Sequence, residues 1–240
     1  MEIQLHEVGG KIRDEIMGLK SKDVDYTVVC DNVLNLSAEE AFKTIHNQLK
    51  DDGFEIFLVT PDCYTIRALF PKGHFYSGVA DFVMARKEIG YIENTRKPIV
   101  QPGTLFDDLE RRDFTVNAIA KMVDGTYYDP FNGIGDIENN ILRTPLDPLV
   151  TFNDDPLRIL RAIRFHITKG FDIHFDILDV MKNYDYNEKF KVVSHERIRD
   201  ELYKCFKFDT LKTIKFLIQY ESLMEYCFKN GYWLKPTNEQ

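Results

Sequence analysis

Val24, Tyr26 and Val28 alternate with Asp23, Asp25 and Thr27, a period of two that predicts a strand over Asp23–Cys30 with one apolar face. Upstream, Gln4–Val8 reads as a strand, Gly9-Gly10 as a turn and the residues around Ile12–Met17 as a short helix. Ser37-Ala38-Glu39-Glu40 matches a capping box, and the helix behind it is expected to end near Lys50, before Gly53. Strand-like runs follow at Phe54–Thr60, Tyr64–Phe70 and Gly78–Arg86, and the polar stretch Ile89–Gly103 reads as a long loop. A helix is expected to carry LFDDLERRDFTVNAIA after Thr104. Turns around Asp129–Asp136 and a short strand at Ile141–Leu142 come next. From Asp155 the pattern is helical: Pro156–Lys169, Phe175–Tyr184, His195–Phe206 and Leu211–Phe228, with a frayed tail WLKPTNEQ.

This order predicts an α+β chain, mixed over residues 1–144 and helical from 145 onward, with no internal repeat. Its 240 residues are enough to bury a core without disulfides. Cys30, Cys63, Cys205 and Cys227 are scattered with no CxxC pair, so free thiols in a reducing cytoplasm are expected. No apolar stretch approaches the roughly 20 residues that span a bilayer, so no membrane association is expected, and the first residues carry no secretory pattern. The net charge of −8 argues against indiscriminate coating of nucleic acid. It leaves room for local basic sites, and the arginines do cluster.

Asp23 and Asp25 project from one face of a predicted strand, where two carboxylates repel unless a cation lies between them. Mg²⁺ takes hard oxygen ligands and keeps phosphate oxygens as further partners, so the pair suits a two-ion phosphoryl site. A solvated pair of acids at a strand start would look the same in isolation; context separates the two. Gly9-Gly10 lies just upstream, where backbone N–H groups can approach phosphates closely. In DDPLRILRAIRF, Asp155 before Pro156 also has the form of a helix cap. On a helical wheel Arg158, Arg161 and Arg164 fall within an arc of about 120°, beside an apolar arc of Ile159, Leu160, Ile163 and Ile167. Three cations side by side call for an anionic ligand.

The glycine turn, helix and DxD strand resemble the start of the DNA polymerase beta superfamily of nucleotidyltransferases. VGGKIRD, KDVDYTVV, ERRDFTVNAIA, YYDPFNGIGDIENNILRTP and DDPLRILRAIRF, in that order, resemble the class II tRNA nucleotidyltransferases (CCA-adding enzymes) and the related bacterial poly(A) polymerases over roughly residues 8–206. VSHERIRDEL resembles the last shared motif.

The resemblance implies a nucleotidyltransferase head over 1–144, a helical neck over 145–206 that reads the incoming base, and a short helical remnant of the body over 207–240. Asp23 and Asp25 would hold Mg²⁺. A third carboxylate on a neighbouring strand is implied, with Asp81 the candidate and Glu88 a competitor. Gly9, Gly10, Arg13, Arg112, Arg161 and Arg164 would position the triphosphate, while Asp113 and Asn117 brace the fold. Asp155 and Arg158 resemble the pair that selects C and A, the carboxylate accepting from the exocyclic amine that both bases carry. Ile89–Gly103 matches the flexible loop of members that add the full CCA.

The implied reaction is template-independent addition of CCA to the 3′ end of tRNA from CTP and ATP. The alternatives are poly(A) synthesis, CC-only or A-only addition, or a non-catalytic RNA-binding subunit. Family members continue into further tRNA-gripping helices, so this chain is expected to be shortened, leaving a partner or a homo-oligomer to supply that surface. Lys207, Lys212, Lys215, Lys229 and Lys235 offer a small basic face.

Overall fold

Tyr26, Val28 and Cys30 point to one side of a strand whose other side carries Asp25 and Thr27, and that division organises the first half of the chain. The computed structural model describes residues 3–21, 24–30, 36–74, 76–92, 95 and 97–228. Asp23, Glu93, Arg96, Lys229, Trp233, Lys235 and the tail expected to fray lie outside the described residues. Two compact units result: residues 1–91 with 97–137, and residues 92–96 with 138–240.

The first unit is built on β1 (Ile3–Val8), β2 (Asp25–Cys30), β3 (Glu55–Thr60), β4 (Thr65–Leu69), β5 (Val79–Met84), β8 (Ala120–Lys121) and β9 (Tyr127–Tyr128). They form one seven-stranded sheet in the order β3-β4-β5-β2-β1-β8-β9. Only β2 and β5 run parallel, because α2 (Ala38–Asp51) and the β3-β4 hairpin lie between them in sequence. The sheet is therefore mixed, as the α+β reading requires.

Helix α2 starts where the sequence says it should. Ser37 Oγ accepts from Glu40 N at 3.2 Å, and the Glu40 carboxylate accepts from Ser37 N at 2.9 Å. Its Ala41, Phe42, Ile45 and Leu49 share a buried face against Tyr26, Val28, Ile66, Phe70 and Phe82. Ile45 and Leu49 are fully buried, a gain of about 2 kcal/mol each. A charge at Ile45 would break this layer.

On the opposite face lie α3 (Leu105–Glu110) and a 3-10 turn, Thr115–Asn117, with Leu109 and Ala118 packed on Val8. The long helix expected after Thr104 stops at Glu110. Beyond it, Asp113 accepts from Phe114 N at 2.9 Å and from Asn117 Nδ2 at 2.8 Å, giving the chain a side-chain alternative to helical bonds.

The polar stretch read as a loop is largely a β-ribbon, another correction. β6 (Arg86–Tyr91) pairs with β7 (Pro98–Pro102), Arg86 opposite Pro102 and Tyr91 opposite Pro98. The prolines fall at the two ends of β7 in a two-stranded sheet, a position that tolerates them and masks the strand in the sequence.

Among its described residues, the regular structure of the second unit is helical apart from a parallel pairing of β10 (Ile141–Leu142) with β11 (Asp172–Ile173). Within the stretch where turns were expected around Asp129–Asp136 the chain forms α4 (Gly133–Glu138), and a further helix not foreseen, α5 (Pro148–Asp154), is capped by Asp147 with Pro148 in its first turn. Then come α6 (Leu157–Lys169), α7 (Phe175–Asn183), α8 (Tyr186–Lys189) and α9 (His195–Phe208). Helix α6 buries Ile159, Leu160, Ala162, Ile163 and Ile167, the stripe read from the wheel. The single helix expected over Leu211–Phe228 is two, α10 (Thr210–Leu217) and α11 (Glu221–Phe228). Tight bonds from Gln219 N to Phe216 O and Tyr220 N to Leu217 O close the first.

Candidate functional site

In the first unit the sheet register brings chemistry together. β2 and β5 run parallel with Asp25 beside Asp81, and β5 and β4 run antiparallel with Asp81 beside Arg67. Laterally paired residues project to the same face, so Asp25, Asp81 and Arg67 form one row across three strands. Arg67 grips Asp81 with both prongs, Nε to Oδ1 at 2.7 Å and Nη2 to Oδ2 at 2.6 Å. Glu88 sits elsewhere, on β6, and is engaged by Arg86, Arg111 and Tyr91. Of the two candidates for a third carboxylate, Asp81 is the lateral neighbour of Asp25.

The turn from β1 into α1 (Gly10–Ile16) borders this row. Val8 pairs with Asp25, and Gly9 follows with φ of 75°, a left-handed backbone natural to glycine. A Cβ on Gly9 would stand 3.1 Å from Arg112 Nη1 and 3.6 Å from Asp25 Oδ2. Glycine is thus what lets the turn, the acid and the guanidinium meet. Gly10 begins α1, where a Cβ would meet Arg13 Nη2 at 3.4 Å.

Arg112 is held from below by a carboxylate that sequence reasoning passed over. Asp108, fully buried on α3, accepts from Arg112 Nη2 at 3.0 Å, Thr27 Oγ1 at 2.7 Å and Arg111 Nε at 3.1 Å. Arg112 Nη2 also reaches Thr27 Oγ1 at 3.2 Å, and Nη1 reaches the Asn117 carbonyl at 3.3 Å. Burial pushes the Asp108 carboxyl up, but the Arg111 and Arg112 guanidiniums and the Thr27 hydroxyl outweigh it and hold it at about 2. Arg111 and Arg112 bracket a buried anion. The signal was present in the spacing, an Asp three and four residues ahead of two arginines at a helix end.

Arg13 is buried and committed to the interior of the unit. It donates to Asp14 Oδ1 from Nε at 2.9 Å and to Asn117 Oδ1 from Nη1 at 2.6 Å. Through Asn117, itself bonded to Asp113, it ties α1 to the segment after Arg112. Asp113 and Asn117 do brace the fold.

Within the second unit, Asp155 precedes α6 and accepts from Leu157 N at 3.0 Å through Oδ1, the cap anticipated for it. Arg158 Nη1 donates to the Thr151 carbonyl at 3.3 Å. Arg161 and Arg164 both lie near the ring of Phe165. Arg164 also has a structural partner, which the wheel did not reveal: its Nε meets Glu201 Oε2 of α9 at 2.5 Å. Burial raises the Glu201 carboxyl, and the Arg164 guanidinium overrides that and holds it below the usual carboxylate range.

The acidic row is a donor set of hard oxygens that suits a divalent cation with phosphate and water completing its shell. Among the described residues no group of three or more His, Cys, Asp or Glu is placed to hold a metal ion; Asp25 and Asp81 are a pair of acids side by side. A separate cavity of about 740 Å³ follows β1 and is lined by His6, Tyr26, His74 and Lys121; Asp25, Asp81 and Arg112 do not line it.

A mixed sheet presenting this row beside a glycine turn is the head fold of the nucleotidyltransferases. Residues 5–143 match the poly A polymerase head domain, and the chain belongs to that family. It is 33% identical to the mitochondrial CCA tRNA nucleotidyltransferase of Candida glabrata over 214 residues, 84% of this chain and 39% of that protein. It is 32% identical to the multifunctional CCA protein of Nitrosomonas europaea over 203 residues, 83% of this chain and 43% of that one. A solved tRNA nucleotidyltransferase, complexed with a primer tRNA and an incoming ATP analogue, superposes with a TM-score of 0.70 at 26% identity. That match covers 96% of this chain and 61% of that one. The chain spans about two fifths of the length of the curated relatives it matches. Among the described residues no helix is long and apolar enough to cross a membrane.

Proposed function

We propose that this chain carries out template-independent nucleotidyl transfer to an RNA 3′ end, adding CCA to tRNA from CTP and ATP. The observation that carries the reading is the row of Asp25 and Asp81 beside Gly9 and Arg112. The names of the relatives support the choice of tRNA, CTP and ATP.

The RNA 3′-oxygen attacks the α-phosphorus in line, a new phosphodiester forms, the α–β anhydride breaks and pyrophosphate leaves. Asp25 and Asp81, with Asp23, would hold a divalent metal ion, which we take to be Mg²⁺. When bound, it supplies charge neutralisation and a lowered pKa for the attacking hydroxyl. Arg112 contributes a fixed positive charge, its orientation set by Asp108 and Thr27 before substrate arrives, so little reorganisation accompanies the reaction. Gly9 and Gly10 leave the backbone open to triphosphate oxygens.

Base choice falls to Asp155 and Arg158. Asp155 accepts from an exocyclic amine, which C and A have and U and G lack at that position; the wrong bases leave buried groups unpaired. Arg161 adds positive charge for the triphosphate. Arg164, tied to Glu201, serves chiefly to fix α6 in the second unit. Arg13 acts on the site by holding the Asn117 segment in place.

The test is incubation of purified protein with tRNA lacking its terminal CCA, CTP and ATP, followed by sequencing of the product. Addition of C, C and A is expected. Runs of A from ATP alone would assign polyadenylation instead, and no incorporation from any nucleotide would refute transfer altogether.

A further inference from the structure

Arg67 has no part in the reading above, yet it holds the carboxylate on which that reading leans. Its fork engages both oxygens of Asp81, at 2.7 and 2.6 Å, in the bidentate geometry at which guanidinium and carboxylate bind best. The register extends this to three charges in a line: Asp25, Asp81, Arg67, one on each of three adjacent strands. Neighbouring strands are about 4.8 Å apart, so the guanidinium's charge acts at short range on whatever the two acids share. Arg67 is also the open end of the row. Its side chain is 47% exposed and that of Asp81 is 24% exposed, so the pair is within reach of solvent and ions. An exposed pair of this kind contributes about 1 kcal/mol or less to stability, which leaves the fold little dependent on it.

We propose that Arg67 is a positioning residue that restrains the affinity of the acidic row for divalent cations by occupying Asp81. The proposal rests on the reading of Asp25 and Asp81 as the metal-holding acids. Any cation that takes an Asp81 oxygen must share it with the guanidinium or displace it, and it does so against a like charge. Without that guanidinium both acids would offer their full charge to a divalent ion even without nucleotide. The guanidinium offsets one of those charges, so tight binding needs the further oxygens of a triphosphate. Arg67 thereby couples metal binding to nucleotide binding.

The experiment is an electron paramagnetic resonance titration of Mn²⁺ against nucleotide-free protein, which reads binding and not turnover. Wild type, Arg67→Gln, Arg67→Lys and Asp25→Asn are compared, with circular dichroism melts to check folding. Arg67→Gln should tighten Mn²⁺ binding by about tenfold, the effect of one charge on a divalent ion about 6 Å away in water-like dielectric. Arg67→Lys, which keeps the charge but loses the fork, should fall between wild type and Arg67→Gln. Asp25→Asn should weaken binding. Unchanged or weaker Mn²⁺ binding in Arg67→Gln, with Asp25→Asn weakened as expected, would overturn the proposal and leave the metal reading standing. If Asp25→Asn bound Mn²⁺ as wild type does, the metal reading itself would fail. Should Arg67→Gln not fold, Arg67→Met, which also removes the charge, takes its place, and wild-type Mn²⁺ affinity in a folded Arg67→Met overturns the proposal.

Discussion

Arg112 Nη2 lies 3.0 Å from Oδ2 of Asp108, a carboxylate with no solvent exposure. The same carboxylate accepts from Thr27 on β2 and from Arg111, so one buried anion fixes two guanidiniums to the strand that carries Asp25. Removing one partner of a buried ion pair typically costs about 3–5 kcal/mol, because the other charges stay buried without compensation. Asp108→Ala should accordingly lower the unfolding free energy by about that much in a urea titration. Thr27→Val, which removes both the bond to Asp108 and the one from Arg112, should cost about 2 kcal/mol.

Acid should act on the same group. The folded Asp108 carboxyl sits at about 2, below the 3.8 of an ordinary aspartate, so its contribution to stability is present above about pH 4. It is lost as the pH falls from there through about 2, a change of about 2 kcal/mol. Thermal melts across that range should show a falling Tm in wild type. Asp108→Asn, folded or partly folded at neutral pH, should show a shallower fall.

Gly9→Ala tests the close approach at the turn. The new methyl would meet Arg112 Nη1 at 3.1 Å on a backbone that L-residues avoid, a cost of about 1–3 kcal/mol. Thermal unfolding should report that loss, and incorporation should drop further than the stability change explains. A Gly9→Ala protein with full activity would show that the turn does not border the reacting groups.

Asp155→Ala separates a cap from a reader. Loss of the bond to Leu157 N should cost about 1 kcal/mol of stability. If Asp155 also selects the base, competition assays with all four nucleotides should show UTP and GTP incorporation rising relative to CTP and ATP. Unaltered selection with lowered stability would leave Asp155 a cap alone.

Much of this was legible in the sequence, for reasons that differ by residue. Strict alternation exposed β2, the Ser37/Glu40 box fixed the start of α2, and the apolar arc of α6 is its buried face. The ribbon of β6 and β7 was hidden because its prolines and charges mimic a loop while pairing occurs only across the hairpin. The helix after Thr104 was overextended because helical spacing of apolar residues persists through Phe114–Ile119, where Asp113 redirects the backbone. Asp25, Gly9 and Arg112 could be nominated from motif order. That Arg67 belongs beside Asp81 depends on strand register, and that Asp108 is buried depends on what covers α3; neither is written in a single sequence.

The most direct measurement is single-turnover incorporation of radiolabelled CTP into tRNA lacking CCA by Asp25→Asn, beside wild type. Incorporation should fall by at least about a thousandfold, several kcal/mol of transition-state stabilisation, while circular dichroism and Tm stay close to wild type. Incorporation at the wild-type rate by folded Asp25→Asn would contradict the assignment of this acidic row as the site of nucleotidyl transfer.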